Sequence, residues 1–347
     1  MIPGDMTFPD HHGQSPAAAL LHLVTGAWVS QALYVVAKSG IADILRDGPQ
    51  GSAALALATG MDTQALSRVL RTLAHVGVFV EDEDGRFGVT PIGACLQTGV
   101  PGSLRAYTLA LGAEKYRAWG DVLHSVHTGQ PAFEHVFGMG TFAYYAQHPE
   151  AAAVFNQAMT EWTTHATQAI VAAYDFSRFG CVVDVGGGHG QLLTALLQAY
   201  PHLRGMLYEL PAVAAGAHQQ LAAVGLTTRC EVRAGDMFAG VPPGGDVYLL
   251  KNVLTSFDEE HSLRVLRHCH QVMTAQSTLV VADPVIQQGN TPAFGPLLDL
   301  HLLVTVGGRV RTVAEHQQLF QAAGFRLTQL IPTQSVFGES VLEGVLA

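Results

Sequence analysis

Charge is scarce in this chain. Asp, Glu, Lys and Arg make up 13% of its 347 residues, and 18 basic residues face 28 acidic ones. The net charge of −10 offers phosphate backbones and acidic lipid no general attraction, so neither nucleic acid nor a membrane surface is expected as a partner. Cysteine is also sparse. Cys95, Cys181, Cys230 and Cys269 form no CxxC pair, which argues against a disulfide framework or a zinc site. No basic n-region precedes the first apolar run, and that run, residues 17–24, is too short to span a bilayer. A cytoplasmic protein is therefore expected. The 17 histidines are scattered apart from His11-His12 and read as ordinary core and surface residues, with no metal expected.

What the chain does have is apolar mass: 48% of its residues are hydrophobic, enough for a large core, and its length fits two domains. From 17 to about 46, Leu20, Leu23, Val24, Ala27 and Trp28 recur at helical spacing, and Ile41, Ile44 and Leu45 continue the pattern. After the break at Gly48-Pro49, residues 52–59 read as a short helix, and Asp62 caps a second one over 63–75. Gly77 ends it. Val78-Phe79-Val80 and Arg86-Phe87-Gly88-Val89 then flank the acidic turn Asp82-Glu83-Asp84-Gly85. Helix, turn, helix and hairpin make a winged-helix pattern. Arg68 and Arg71 lie on its second helix, but the wing is acidic where phosphate contact needs Lys or Arg, so dimer contact is favoured over DNA binding.

Residues 104–175 are helical and rich in bulky side chains, among them Tyr107, Tyr116, Trp119, Phe133, Phe155, Met159 and Trp162. Such a stripe is more often core than ligand cage, and its place before the next motif adds a role as pocket wall. After Phe179 the pattern changes: Cys181–Val185, 205–209, 247–250 and 278–282 read as buried strands with helices between. That alternation predicts an α/β, doubly wound, Rossmann-like sheet.

The strand Val182-Val183-Asp184-Val185 runs into Gly186-Gly187-Gly188-His189-Gly190 and then a helix from near Gln191. Glycines here permit a tight turn and let a ligand approach the backbone beside a helix N-terminus. The dinucleotide fingerprint G-x-G-x-x-G/A, counted from Gly186, puts Gln191 where its last small residue belongs, which weakens an NAD reading. The motif has instead the D-x-G-x-G form associated with adenosylmethionine. Glu209 ends the second strand, where its carboxylate can accept from both ribose hydroxyls of any adenosine cofactor. Asp236 could take an adenine amino group and Met237 its ring face, although Asp236 could also simply cap a turn.

Taken together, these segments resemble the plant-caffeate-type (family 2) S-adenosylmethionine-dependent O-methyltransferases, and within them the bacterial phenazine methyltransferase (PhzM-like) branch. The resemblance covers nearly the whole chain and is carried by the dimerising helical and winged-helix start, Phe155-Asn156-Gln157-Ala158-Met159, Asp184-Val185-Gly186-Gly187-Gly188, Gly235-Asp236-Met237-Phe238 and Gly307-Gly308-Arg309-Val310-Arg311-Thr312. It implies a class I methyltransferase sheet over 104–347 and an all-helical, winged-helix dimerisation domain over 1–103. It implies that Gly186, Glu209, Asp236, Met237 and Lys251 hold S-adenosylmethionine, with Met159 and Thr163 at its methyl and carboxyl end. Phe155, Asn252, Thr255 and His301 match substrate-side positions. The implied partners are a small aromatic substrate and a second copy of the chain.

The sequence departs from that family mainly around the proton-transfer apparatus. Members continue Leu-Lys-x-x-Leu-His-Asp-Trp, with the His as general base; here Leu250-Lys251-Asn252-Val253-Leu254 is followed by Thr255-Ser256-Phe257. One supporting acid is matched by Asp283, while the other is replaced by Val310. No catalytic acid or base is therefore assigned. Either the acceptor needs no base, as a ring nitrogen, a carboxylate or an acidic N-hydroxyl would not, or another group supplies one. His301 is a candidate, evenly matched by a packed histidine on an apolar helix. Methyl transfer to oxygen of a planar, phenazine-like ring is the first expectation and transfer to a ring nitrogen the second. Non-methylating chemistry on the same fold and an adenosine-sensing regulator remain alternatives.

Overall fold

The computed structural model describes residues 15–287, 289 and 293–347; the His11-His12 pair lies outside them. The chain forms two compact units. Among the described residues, one comprises 15–123 with Ala132–Trp162, the other His124–Pro131 with Thr163–Ala347.

In the first unit, helices Pro16–Val24 and Gly26–Ser39 occupy the predicted stretch, and Ser15 caps the first by accepting from Ala18 N at 3.3 Å. Together they span the 24 residues Pro16–Ser39, long and apolar enough to cross a bilayer by length and composition alone, which the run 17–24 was not. Leu20, Leu21, Leu23, Val24 and Trp28 are exposed on them, Trp28 by 71%. Helices Ser52–Thr59 and Thr63–His75 follow as expected, with Asp62 accepting from Ala65 N at 2.8 Å. Leu66, Leu70 and Leu73 fall on one face of Thr63–His75 and are buried against Val36, Ile41, Leu55, Phe79 and Phe87. Phe79–Glu81 and Arg86–Val89 pair antiparallel around the acidic turn, and Gln50–Gly51 adds a third strand beside Arg86–Val89. This is the expected winged helix with one unforeseen edge strand.

The second unit is built on a mostly parallel sheet. Its strands are β1 (Cys181–Val185), β2 (Arg204–Glu209), β3 (Cys230–Ala234), β4 (Val247–Lys251), β5 (Thr278–Ile286), β6 (Phe325–Pro332) and β7 (Glu339–Leu346). They lie in the order β6-β7-β5-β4-β1-β2-β3, with the short Arg311–Thr312 pairing beside β5. Strands β1 to β5 are parallel, and the β6–β7 hairpin joins antiparallel to β5. The strand order reverses between β1 and β4, so the carboxyl ends of these two strands, Val185 and Lys251, flank the crevice where such sheets take ligands. β1, β4 and β5 are buried almost throughout. Helix Gln191–Ala199 buries Leu192, Leu193, Leu196 and Leu197, and Glu259–Val272 buries Val265, Leu266 and Cys269. The rigid sheet therefore fixes the loops at its carboxyl edge.

Candidate cofactor site and the vacated base position

The glycine loop is the first wall of the site. Gly186, Gly188 and Gly190 have φ of 71°, 61° and 76°, values that L side chains adopt only with strain. A side chain on Gly187 would run into the Asp184 carboxyl and Leu207, whereas nothing lies near a Cβ built on Gly188. The loop is thus pressed against the sheet on one side and open on the other. Met237 packs beside Gly186, its Sδ 3.6 Å from where a Cβ would stand.

Glu209 stands at the end of β2 with its carboxylate fixed by two backbone donors. Gly188 N donates to Oε2 at 2.9 Å and Leu210 N to Oε1 at 2.7 Å. Each oxygen retains a lone pair for a further donor. Asp236 does cap a turn, accepting from Phe238 N on Oδ1 at 2.8 Å; this leaves Oδ2 for other work. The main chain of Met237 is tied by its carbonyl to His268 Nδ1 at 2.8 Å.

The floor between β1 and β4 holds two buried titratable groups. Lys251 Nζ donates to Thr163 Oγ1 at 3.0 Å. Burial pulls its ammonium below the usual lysine range, while Glu339, Asp184 and Asp283 act to hold its proton. Burial likewise lifts Asp184 to about 7, against the pull of Lys251. Both Asp184 oxygens and the Asn252 Oδ1 are buried with no hydrogen-bond partner among the described residues. Asn252 is also the one non-glycine residue there with positive φ, 55°. Unpaired buried polar atoms and strained backbone cost free energy and gather at ligand sites. An adenosine-type cofactor with polar substituents fits this donor and acceptor set.

Thr255, where the sequence pattern leads one to expect a base, is 7% exposed on the turn Leu254–Ser256. Asp283 faces it from β5. Burial raises the Asp283 carboxyl to about 6, opposed by the Thr255 hydroxyl, the Arg311 guanidinium and the N–H groups of Asn252 and Thr255. The turn is pinned by Arg311, which donates to Leu254 O at 2.6 Å, Phe257 O at 3.2 Å and Ser262 Oγ at 3.1 Å. Arg309 N donates to Thr255 O at 3.1 Å. Val310 is buried, and its N–H donates to Asp299 Oδ1 at 2.7 Å. The turn that carries Thr255 is thus held from both Arg309 and Arg311. His301 lies half-buried on helix Phe294–Thr305, its carbonyl accepting from Thr305 Oγ1 at 2.7 Å.

Gly186, Thr163, Glu209, Asp236, Met237, Lys251, Asn252, Thr255 and His301 all belong to the sheet unit, and Phe155 and Met159 belong to the helical unit. In that unit Met159 packs against Ala106, Ala110 and Ala158, and Phe155 stacks on Tyr145. Sequence reasoning did not assign a role to Arg311, although it lies within Gly307–Thr312, nor foresee the left-handed Asn252.

The sheet order, the glycine loop after β1 and the acid ending β2 define a class I, S-adenosylmethionine-dependent methyltransferase. Comparison with known proteins agrees: residues 119–326 match the O-methyltransferase domain and residues 21–99 the O-methyltransferase dimerisation domain, and the chain belongs to this plant-type O-methyltransferase family. It is 46% identical to the phenazine O-methyltransferase PhzM of Lysobacter antibioticus over 339 residues, 97% of this chain and 99% of that protein. It is 33% identical to the phenazine-1-carboxylate N-methyltransferase of Pseudomonas aeruginosa over 315 residues, 91% and 93% of the two chains. The SAH-bound structure of CalO1, a methyltransferase of calicheamicin biosynthesis, superposes with a TM-score of 0.87 at 36% identity, covering 95% of this chain and 98% of that one. S-adenosylmethionine is the methyl donor.

Proposed function

We propose that this chain methylates an oxygen of a small planar aromatic, phenazine-like secondary metabolite without a histidine general base. The observation that carries the reading is the pairing of a complete cofactor wall with Thr255 and Val310 at the base and acid positions. When bound, S-adenosylmethionine supplies a methyl group activated by its sulfonium, which a nucleophile takes directly. In this reading Glu209 accepts from the ribose hydroxyls, Asp236 from the adenine amino group and Met237 covers the adenine ring. Gly186, Lys251 and Thr163 surround the amino-acid and methyl end. Asn252, Thr255 and His301 face the acceptor, and Asn252 Oδ1 offers it an acceptor atom.

A threonine hydroxyl cannot take a proton at neutral pH, so the nucleophile must arrive ionised or need no deprotonation. Positioning and exclusion of water then provide the rate. Transfer to a ring nitrogen is the second reading, favoured by the N-methylating relative from Pseudomonas. The test is incubation with S-adenosylmethionine and a panel of phenazines, phenols and N-hydroxy heteroaromatics, locating the methyl by mass spectrometry. Thr255→Ala is expected to change kcat only a fewfold, because a true general base contributes about 10²–10⁴-fold. The rate should fall at low pH with the acceptor's own pKa. A loss beyond about a hundredfold at unchanged substrate KM would overturn the base-free reading.

We further propose that residues 1–103 form the dimerising part and 104–347 the catalytic part of a cytoplasmic homodimer. The apolar face of Pro16–Ser39, with Leu21 62% and Trp28 71% exposed, is what a second copy would cover. Sedimentation at micromolar protein should give a dimer, dissociated by Leu21→Asp with Trp28→Asp. A monomeric parent chain would reject the assignment.

A further inference from the structure

Asp236 and Met237 follow β3, the edge strand of the sheet, which pairs with β2 alone among the described residues. A segment leaving an edge strand has no second neighbour to hold it, yet a recognition site works only when its contacts are fixed to within about 0.5 Å. Support for this turn comes from two other elements of the sheet unit. The first is β2. A side chain on Gly235 would run into the Tyr208 ring, and Tyr208 Oη donates to Asp236 O at 3.2 Å. The second is helix Glu259–Val272. His261 and His268 stand seven residues apart on it, two turns along one face, and both meet the turn. The His261 ring meets the Phe238 ring at 5.3 Å and 82°, with Phe257 against that same ring at 5.0 Å and 89°. His268 Nδ1 reaches Met237 O at 2.8 Å. A carbonyl only accepts, so Nδ1 is a protonated nitrogen of this ring.

Helix propensity does not call for histidine here, since Ala or Leu would favour the helix more. The neighbours Val265, Leu266 and Cys269 bury apolar surface. Half-buried His268 instead directs a donor at one carbonyl. That carbonyl belongs to the residue whose side chain packs beside Gly186. Without the donor, Met237 O would lose its partner and the turn its hydrogen bond to the helix. We propose that His268 is a positioning residue for base recognition: by holding Met237 O it fixes where Asp236 and Met237 stand, and so sets the preference of the donor site for adenine. This rests on the reading that places adenine at Asp236 and Met237. In that reading His268 acts through Met237 and not on the reacting atoms, so its effect falls on donor affinity and base selectivity.

The experiment compares S-adenosylhomocysteine with S-inosylhomocysteine, in which a carbonyl oxygen replaces the adenine amino group. Calorimetric Kd values for both are measured on the full chain, which needs no methyl acceptor. The parent should bind the adenosyl compound about tenfold or more tightly, the scale of a hydrogen bond to a charged group. His268→Ala should weaken the adenosyl compound about three- to tenfold, the scale of one neutral hydrogen bond. It should weaken the inosyl compound less, so that the ratio falls. His268→Asn, whose side-chain amide can donate from near the place of Nδ1, should keep both values. An unchanged Kd for the adenosyl compound in His268→Ala overturns the inference. So does an equal loss for both compounds, which is what a merely structural role would give, and so does a His268→Asn chain as weak as His268→Ala. Should His268→Ala fail to fold, His268→Phe keeps a ring without the donor and is read in the same way. A parent with no preference between the two compounds would overturn the placing of adenine at Asp236, and the inference with it. A parent preference that survives intact in His268→Ala would overturn the inference alone.

Discussion

Glu209→Ala is expected to bind S-adenosylmethionine roughly ten- to a hundredfold more weakly than the parent chain, the span of about 1.5–3 kcal/mol for hydrogen bonds to a charged group. The reason is preorganisation. Two backbone N–H groups, of Gly188 and Leu210, already hold both carboxylate oxygens in place, so a ribose would meet an acceptor that pays no further ordering cost. Alanine removes that acceptor and also releases Gly188 N, at the tip of the loop. The chain should still fold, because Glu209 sits at a strand end and its own carbonyl continues to accept from Gly235 N at 2.9 Å. Glu209→Gln should fall between the two, keeping one acceptor oxygen. Calorimetric titration reads the Kd, and an unchanged value in Glu209→Ala would remove the residue from the cofactor site.

Glu209 could be read from sequence because everything that places it is local. A buried apolar run ends, an acid follows, and a glycine loop stands one strand earlier. The same holds for Thr63–His75, where Asp62 and the spacing of Leu66, Leu70 and Leu73 are periodic signals within one helix. β3 escaped notice because it is an edge strand. Glu231 and Arg233 lie on its exposed face, so Cys230–Ala234 lacks the continuous apolar run that marks β1 and β4. The β6–β7 hairpin was missed for a related reason: β6 is largely exposed, and it joins the sheet antiparallel beyond the alternating part of the chain. No periodicity reports a backbone carbonyl that needs a donor. Arg311 serves carbonyls 57 and 54 residues earlier in the chain, and that relation exists only after β5 and the Leu254–Ser256 turn have come together. Asn252 is similar. Its positive φ follows from the turn that leaves β4, and nothing in Leu-Lys-Asn-Val-Leu announces it.

Arg311→Met is expected to destabilise the chain strongly, by about 1–3 kcal/mol for each buried acceptor left without its donor. Three hydrogen bonds go with it, to Leu254 O, Phe257 O and Ser262 Oγ, and two of them leave carbonyls of the Thr255 turn without their donor. The loss should depend on pH in a defined direction. Asp283 has a folded-state value of about 6, raised from 3.8 by burial, so its contribution to stability is fully present below the unfolded value and lost as pH rises through the folded one. Removing Arg311 takes away a charge that favours the ionised carboxyl, so the folded value must climb further and the loss must continue to higher pH. The difference between parent and Arg311→Met should therefore be smaller near pH 5.5 than at pH 8, and Asp283→Asn added to Arg311→Met should shrink that dependence. Urea denaturation of the cofactor-free proteins at the two pH values measures it. A variant with unchanged stability at both would show that the Thr255 turn stands without its arginine, and an equal loss at both would show that Asp283 is not coupled to it.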